Sequence, residues 1–193
     1  MKNKILINFC GDSFCASKSE YSWCNILSNK LNAKIIGLGK SGSAHEYAIK
    51  SFKTNAGITI FCWTECNRLY HKKYEINSWS AETYKDKIIE MKIATEYYKY
   101  LHDSSYAKQR QIRDLYWFDN VILSQYKGII IHYFSLGFNY PPYKFKNGYT
   151  HNKPIDRIFK IKTSNNIDIF NHLSIDDNKK LAQFTYGLLK NSC

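Results

Sequence analysis

Apolar positions in this chain gather into short continuous runs, separated by longer stretches in which they recur every three or four residues. Short runs bounded by turn residues read as strands, and the three-to-four spacing reads as amphipathic helix. Lys4 to Cys10 is the first strand by this pattern, Ala33 to Leu38 the second and Gly57 to Trp63 the third. Gly128 to Phe134, "GIIIHYF", is the fourth, and its unbroken apolar character is that of a strand buried on both faces. Ile158 to Ile161 predicts a short fifth. Trp23, Ile26, Leu27 and Leu31 predict a helix capped by Ser19, and Ser43 to Phe52 predicts another. Residues 81 to 126 predict a mostly helical insertion in two blocks, parted at Asp103-Ser104-Ser105. Residues 135 to 155 carry Gly137, Pro141, Pro142, Gly148 and Pro154 and read as loop. Ser174 to Leu189 predicts a closing helix, with Ser174 as N-cap and Asp177 at the capping-box position.

Strands alternating with helices predict an α/β domain with a mostly parallel sheet covered on both faces. The 193 residues show no internal repeat and no low-complexity linker, so a single domain over 1–193 is expected. In such sheets functional groups gather at the carboxyl ends of the strands. Gly11-Asp12-Ser13, Gly42 and the stretch Thr64 to Asn67 all fall there.

Composition narrows the setting. Hydrophobic residues make up 44% of the chain, enough for a core. The first apolar stretch is broken by Asn8, short of a signal-peptide core, and no run approaches a membrane span. A soluble, cytoplasmic protein is the expectation. The six cysteines form no CxxC pair and have no histidines at zinc-finger spacing, so free thiols are expected. The net charge is +12, supplied mostly by lysine; Arg68, Arg110, Arg113 and Arg157 are the only arginines. Sequence-specific nucleic-acid readers lean on clustered arginine, so that class is not expected. A general attraction to acidic glycans or anionic surfaces is compatible with the charge.

Candidate chemistry centres on "NFCGDSFC", residues 8 to 15. Gly, Asp and Ser are turn formers, and Asp12 reads as a turn and helix-start residue. Ser13 is also placed as a nucleophile would be, at the end of a buried strand. A serine becomes one when a base takes its proton and fixed donors receive the oxyanion. His172, just before the last helix, is the candidate base, and Asp168 upstream could orient it. Ser13 N–H and Gly42 N–H are candidate oxyanion donors. Asn67, or Thr64 in its place, is the candidate third donor.

This layout resembles the SGNH (GDSL-type) hydrolases. "ILINFCGDSF" looks like their first block, "IIGLGKSGSA" like their second with Gly42 in the oxyanion position, and "NHLSIDDNKKLA" like their last. The resemblance implies a three-layer α/β/α sandwich of flavodoxin-like type and serine esterase or acyl-transfer chemistry. The implied substrate is a small ester or an acylated carbohydrate, with no metal or organic cofactor. Two blocks depart from the family. Its third block, Gly-x-Asn-Asp, is replaced by "FCWTECNRLY", similar to a variant in some virus-encoded members, which would put Arg68 near the pocket and the protein in a host cytoplasm. The Asp that the family holds three residues before its His is here Ile169, one position from Asp168.

Two other readings stay open. The departures are compatible with a catalytically impaired module binding a glycan or other polyanion, and the same residues would serve an O-acyltransferase. "FNYPPYKFKNGY" is either an aromatic, basic substrate loop or an ordinary packed one. His132, inside "GIIIHYF", reads as a packed strand residue, and Arg68 as an ion-pair partner for Glu65 or Glu75.

Overall fold

The computed structural model describes residues 4–136, 142–159 and 169–190, with only the backbone of Ile169 and Phe170. Five parallel strands form one sheet: β1 (Leu6–Gly11), β2 (Lys34–Gly37), β3 (Ile58–Trp63), β4 (Ile129–Phe134) and β5 (Tyr149–Thr150), in the order β2-β1-β3-β4-β5. The long central pairs are in register, Ile7 to Cys62 across β1 and β3 and Ile58 to Phe134 across β3 and β4. Parallel strands need crossovers, and helices supply those from β1 to β4: α1 (Trp23–Lys30) between β1 and β2, α2 (His45–Ser51) between β2 and β3, and α3 (Ser78–Tyr84), α4 (Ile89–Tyr100) and α5 (Ser104–Trp117) between β3 and β4. Two helices, α6 (Ile155–Ile158) and α7 (Ile175–Lys190), follow β5.

Side-chain alternation divides the core in two. Ile7, Phe9, Ile58, Ile60, Cys62, Ile131 and Tyr133 face one way and meet Trp23 and Leu27 of α1 and Leu181 and Leu189 of α7. Cys10, Phe61, Trp63, Ile130 and Phe134 face the other way and meet Ala48 of α2, Leu115 of α5 and Phe118. Burial on both faces explains why β3 and β4 read as continuous apolar runs. The result is the expected three-layer α/β/α sandwich. A third, smaller cluster joins α3 to α4 through Ile76, Ala81, Met91 and Ala94.

Several local expectations change. The cap of α1 is Ser22, whose hydroxyl accepts from Asn25 N–H; Ser19 instead accepts from Tyr21 N–H in the preceding turn. The fifth strand is Tyr149–Thr150, inside the stretch read as loop. Residues 155–158 are helix, not strand: Pro154 starts the turn with its fixed φ, and fully buried Ile155 anchors it; residues 160 and 161 of the expected strand lie outside the described residues. Asp103 does part the helical insertion, capping α5 through Ser105 and Tyr106 N–H. Ser174 receives Asp177 N–H at 3.1 Å ahead of α7, and its hydroxyl donates to the Asp177 carboxylate. In the described part of the aromatic stretch Phe145 lies in the core and Tyr143 donates to Asp119, while Tyr149 is exposed. Cys10, Cys15, Cys24, Cys62 and Cys66 are free thiols.

Candidate active site

Ser13 opens a single 3-10 turn, Ser13–Cys15, at the carboxyl end of β1. The chain can enter that turn only with glycine before it, because a Cβ on Gly11 would stand 2.2 Å from the Cys62 carbonyl oxygen of β3. Asp12 caps the turn, its Oδ1 accepting Phe14 N–H at 3.0 Å. The Trp23 indole N–H donates to the Phe14 carbonyl at 2.7 Å and pins the turn from below. At the first position of the turn, the Ser13 N–H has no acceptor within it.

His172 comes from the far end of the chain. Strands β6 (Ile169–Phe170) and β7 (Leu173–Ser174) form an antiparallel hairpin with a two-residue turn, Asn171-His172. Both turn residues have positive φ, 53° and 63°, as a type I′ hairpin turn requires. Asn171 suits that conformation; a histidine there is held against its preference. Two amides anchor the hairpin. Asn171 Oδ1 accepts Ser17 N–H at 2.8 Å, and fully buried Asn178 accepts Trp23 N–H while donating to the Leu173 and Ser174 carbonyls. The ring of His172 then lies against Phe14, with Nε2 at 2.8 Å from Ser13 Oγ. Asp168 lies outside the described residues.

The loop after β2 lies along the same turn. Gly39 N–H donates to the Cys15 carbonyl, and Lys40 N–H and the Ser43 hydroxyl both donate to the Gly11 carbonyl. Gly42 has φ +63° and is packed on Glu75, whose Oε2 would stand 2.4 Å from an added Cβ. Position 42 therefore takes glycine on two counts, conformation and space.

Beyond β3 the residues separate. Thr64 is buried, its carbonyl accepting from Gln111 Nε2 at 2.7 Å and its hydroxyl enclosed next to Asp12. Arg68 is buried too, donating from Nε to Glu65 at 3.2 Å, and its charge acts on Asp12. Asn67 is half-buried; its carbonyl accepts from the Tyr98 hydroxyl and its Oδ1 faces the Cys66 thiol. No hydrogen bond links Asn67 to Ser13 or His172 among the described residues. The fold thus joins Ser13 to His172 directly, sets Gly42 in a loop whose neighbouring residues bond to Gly11 and Cys15, and gathers Thr64 and Arg68 around Asp12.

Three supporting residues were not singled out from the sequence. Ser135, fully buried after β4, donates to Asp12 Oδ1 at 2.8 Å, and its place at a strand's carboxyl end was a usable signal. Asn171 was legible in "IFNHLS", two apolar-led pairs parted by two turn residues. Asn178 had no signal beyond lying on the helix that follows.

The Asp12 carboxyl is pushed above its ordinary value by burial, against the pull of Arg68 and of the Phe14, Ser135 and Thr64 donors. Burial also pushes the Cys15 and Cys62 thiols up, which keeps them unreactive. Among the described residues the one grouping able to share a metal ion is His45, Glu46 and Asp114, between α2 and α5. Arg110 and Arg113 already pair with its carboxylates, so its charge is compensated. A cavity of about 610 Å³ lies at the amino ends of β3 and β4, lined by Gly57, Tyr126 and Gly128, at the opposite edge of the sheet from Ser13. No described helix is long and apolar enough to cross a membrane. No family model matches this chain, and neither does any curated protein or solved structure.

Proposed function

We propose that this chain is a serine hydrolase of the SGNH type, cleaving an ester such as an O-acyl group on a carbohydrate. One observation carries the reading: the 2.8 Å contact between His172 Nε2 and Ser13 Oγ, made across 159 residues of chain. In this mechanism the Ser13 hydroxyl donates its proton to Nε2 as Oγ attacks the acyl carbonyl carbon. The oxyanion is received by Ser13 N–H and Gly42 N–H, with the Asn67 amide as third donor. His172 then gives its proton to the departing alcohol oxygen, and water repeats the sequence on the acyl-enzyme. Asp168 or a backbone carbonyl accepts from His172 Nδ1–H and holds the ring. An acceptor sugar hydroxyl in place of water makes the same residues an acyltransferase.

The test is fluorophosphonate labelling with peptide mapping. Label is expected on Ser13 alone and is absent in Ser13→Ala. His172→Ala slows labelling by roughly 10²-fold or more, the scale of a lost general base. A folded wild-type protein that takes no label overturns the hydrolase and points to a module that binds glycans or polyanions.

A further inference from the structure

We infer that this chain forms a homodimer through the outer face of α4, where a second copy covers an apolar stripe that the fold leaves in solvent. Neither the stripe nor its partner depends on the chemistry at Ser13.

Helix α4 is apolar on two opposite faces. One is used inside the chain. Met91 and Ala94 are buried against Ile76 and Ala81. On the same face the Tyr98 hydroxyl donates to the Asn67 carbonyl at 2.7 Å and to the Ile76 carbonyl at 3.3 Å. These contacts hold the helix in one rotation about its axis. At about 100° per residue, Ile89, Ile93 and Tyr100 then fall within roughly 40° of one another, on the side away from Met91 and Tyr98. They are 64%, 63% and 65% exposed, and Leu101 at the end of the helix is 75% exposed. Single exposed apolar residues are ordinary on a protein surface; a row of them along one helix face marks a contact. The helix cannot turn to bury the stripe without giving up the inner face.

Area and charge identify the occupant. The Ile89, Ile93, Tyr100 and Leu101 side chains expose on the order of 400–500 Å² of apolar surface together. A standard interface buries about 800 Å² per partner, of which a little under two-thirds is apolar. The stripe therefore supplies most of the apolar area that a stable pairing needs. The charges between Asn77 and Leu101 are Glu82, Asp86, Glu90 and Glu96 against Lys85, Lys87, Lys92 and Lys99, and they cancel. The whole net charge of +12 thus lies on the rest of the chain. Two copies that met through that remainder would bring like charges together; through this hairpin they do not. A polyanion or an anionic membrane is drawn to the basic remainder and gains nothing from an isoleucine stripe. A two-fold pairing needs one patch that complements itself, which a neutral apolar stripe does.

The experiment is sedimentation velocity on the purified full chain, at concentrations from about 1 to about 200 μM. Wild type is expected to sediment as a dimer at the upper end. Ile93→Lys sets an ammonium group in the seam and weakens association at least about thirtyfold, the scale of a lost hot spot. Ile89→Ser weakens it about tenfold and keeps the test open should Ile93→Lys fail to fold. Phe184→Ser trims an exposed ring on α7, outside the hairpin, and leaves association as in wild type. Unchanged far-ultraviolet circular dichroism shows that the variants are folded. Raising salt from about 0.05 to about 0.5 M tightens the wild-type dimer, because it screens the repulsion between two basic chains. A wild type that stays monomeric at the highest concentration overturns the inference and leaves the stripe to a different protein. A dimer that Ile89→Ser and Ile93→Lys do not weaken, or that Phe184→Ser weakens as much, overturns it too. Dissociation of the dimer by salt would mean that a polyanion bridges the two copies, and the stripe would then not be the seam.

Discussion

One residue at the candidate site sits where its type is ill suited to the backbone, and it is explained by what it holds in place. His172 has φ 63°, a conformation in which a side chain costs about 1 kcal/mol. A hairpin designed for stability alone would place glycine after Asn171. The histidine remains because this turn is what brings Nε2 to Ser13. His172→Gly and His172→Ala should therefore be alike in losing fluorophosphonate labelling but unlike in stability. We expect the glycine variant to be the more stable by about 1 kcal/mol in urea denaturation, since only alanine keeps a Cβ in the left-handed region. Equal stabilities would mean that the turn does not hold positive φ in solution. Gly11 shows the opposite case, a residue chosen for what it lacks. With the Cys62 carbonyl oxygen 2.2 Å from any added Cβ, β1 and β3 cannot stay paired at the end that carries Ser13. The Gly-Asp-Ser motif is thus legible at residue scale for two separate reasons, one steric and one chemical.

At the scale of elements, the sequence carried what depends on periodicity and lost what depends on partners. The four long strands and the principal helices were readable because each buries a face, and burial imposes spacing. The cap of α1 was misplaced because Ser19 and Ser22 look alike in sequence; only the path of the chain decides which hydroxyl meets Asn25 N–H. Strand β5 was hidden because two residues form no pattern, and Tyr149–Thr150 is fixed by Ile131 and His132 of the neighbouring strand. Asp119 was also invisible: its carboxylate gathers Lys146 N–H, Asn147 N–H, the Asn147 amide and the Tyr143 hydroxyl from a segment 24 or more residues away. Asn178 is the most consequential of these tertiary contacts, because it joins the His172 hairpin to α1. Removing its amide in Asn178→Ala leaves Trp23 N–H and the Leu173 carbonyl without this partner in the interior. The expected loss is about 2–4 kcal/mol of stability, with labelling at Ser13 slowed as well. Thermal unfolding and labelling rates on the same sample check both, and an Asn178→Ala protein that labels at the wild-type rate would show that the hairpin is held by other means.

For the molecule as a whole, two buried groups should bend the pH dependence of stability in opposite directions. His132 lies in β4, fully buried, stacked on Phe145 at 3.6 Å between ring centres. Its Nδ1 accepts from the Trp63 indole and its Nε2–H donates to the Asn147 carbonyl, so the ring is held neutral as a packed strand residue. Burial pulls its pKa down to about 3, whereas the unfolded chain takes a proton on this side chain near the ordinary histidine value. Below that ordinary value the unfolded state binds more protons than the native state, so stability from this group falls as pH falls. Between pH 7 and pH 5 the loss amounts to about 2 kcal/mol. Asp12 has the reverse sign: its native carboxyl is raised, the native state binds the extra proton, and stability from it falls as pH rises. The two contributions have opposite signs, and single variants separate them. His132→Phe keeps an aromatic ring in the stack and removes the titration. It loses a constant amount through the stranded Trp63 indole, but relative to wild type it should gain about 2 kcal/mol on going from pH 7 to pH 5. Asp12→Asn should move the other way, losing ground to wild type as pH falls through the raised native value toward the ordinary carboxylate range. Urea denaturation of the three proteins at a series of pH values from 7 down into the carboxylate range reads both slopes. If His132→Phe runs parallel to wild type, the histidine is protonated inside the fold, and the aromatic layer between β3 and the 143–147 segment must then accommodate a charge.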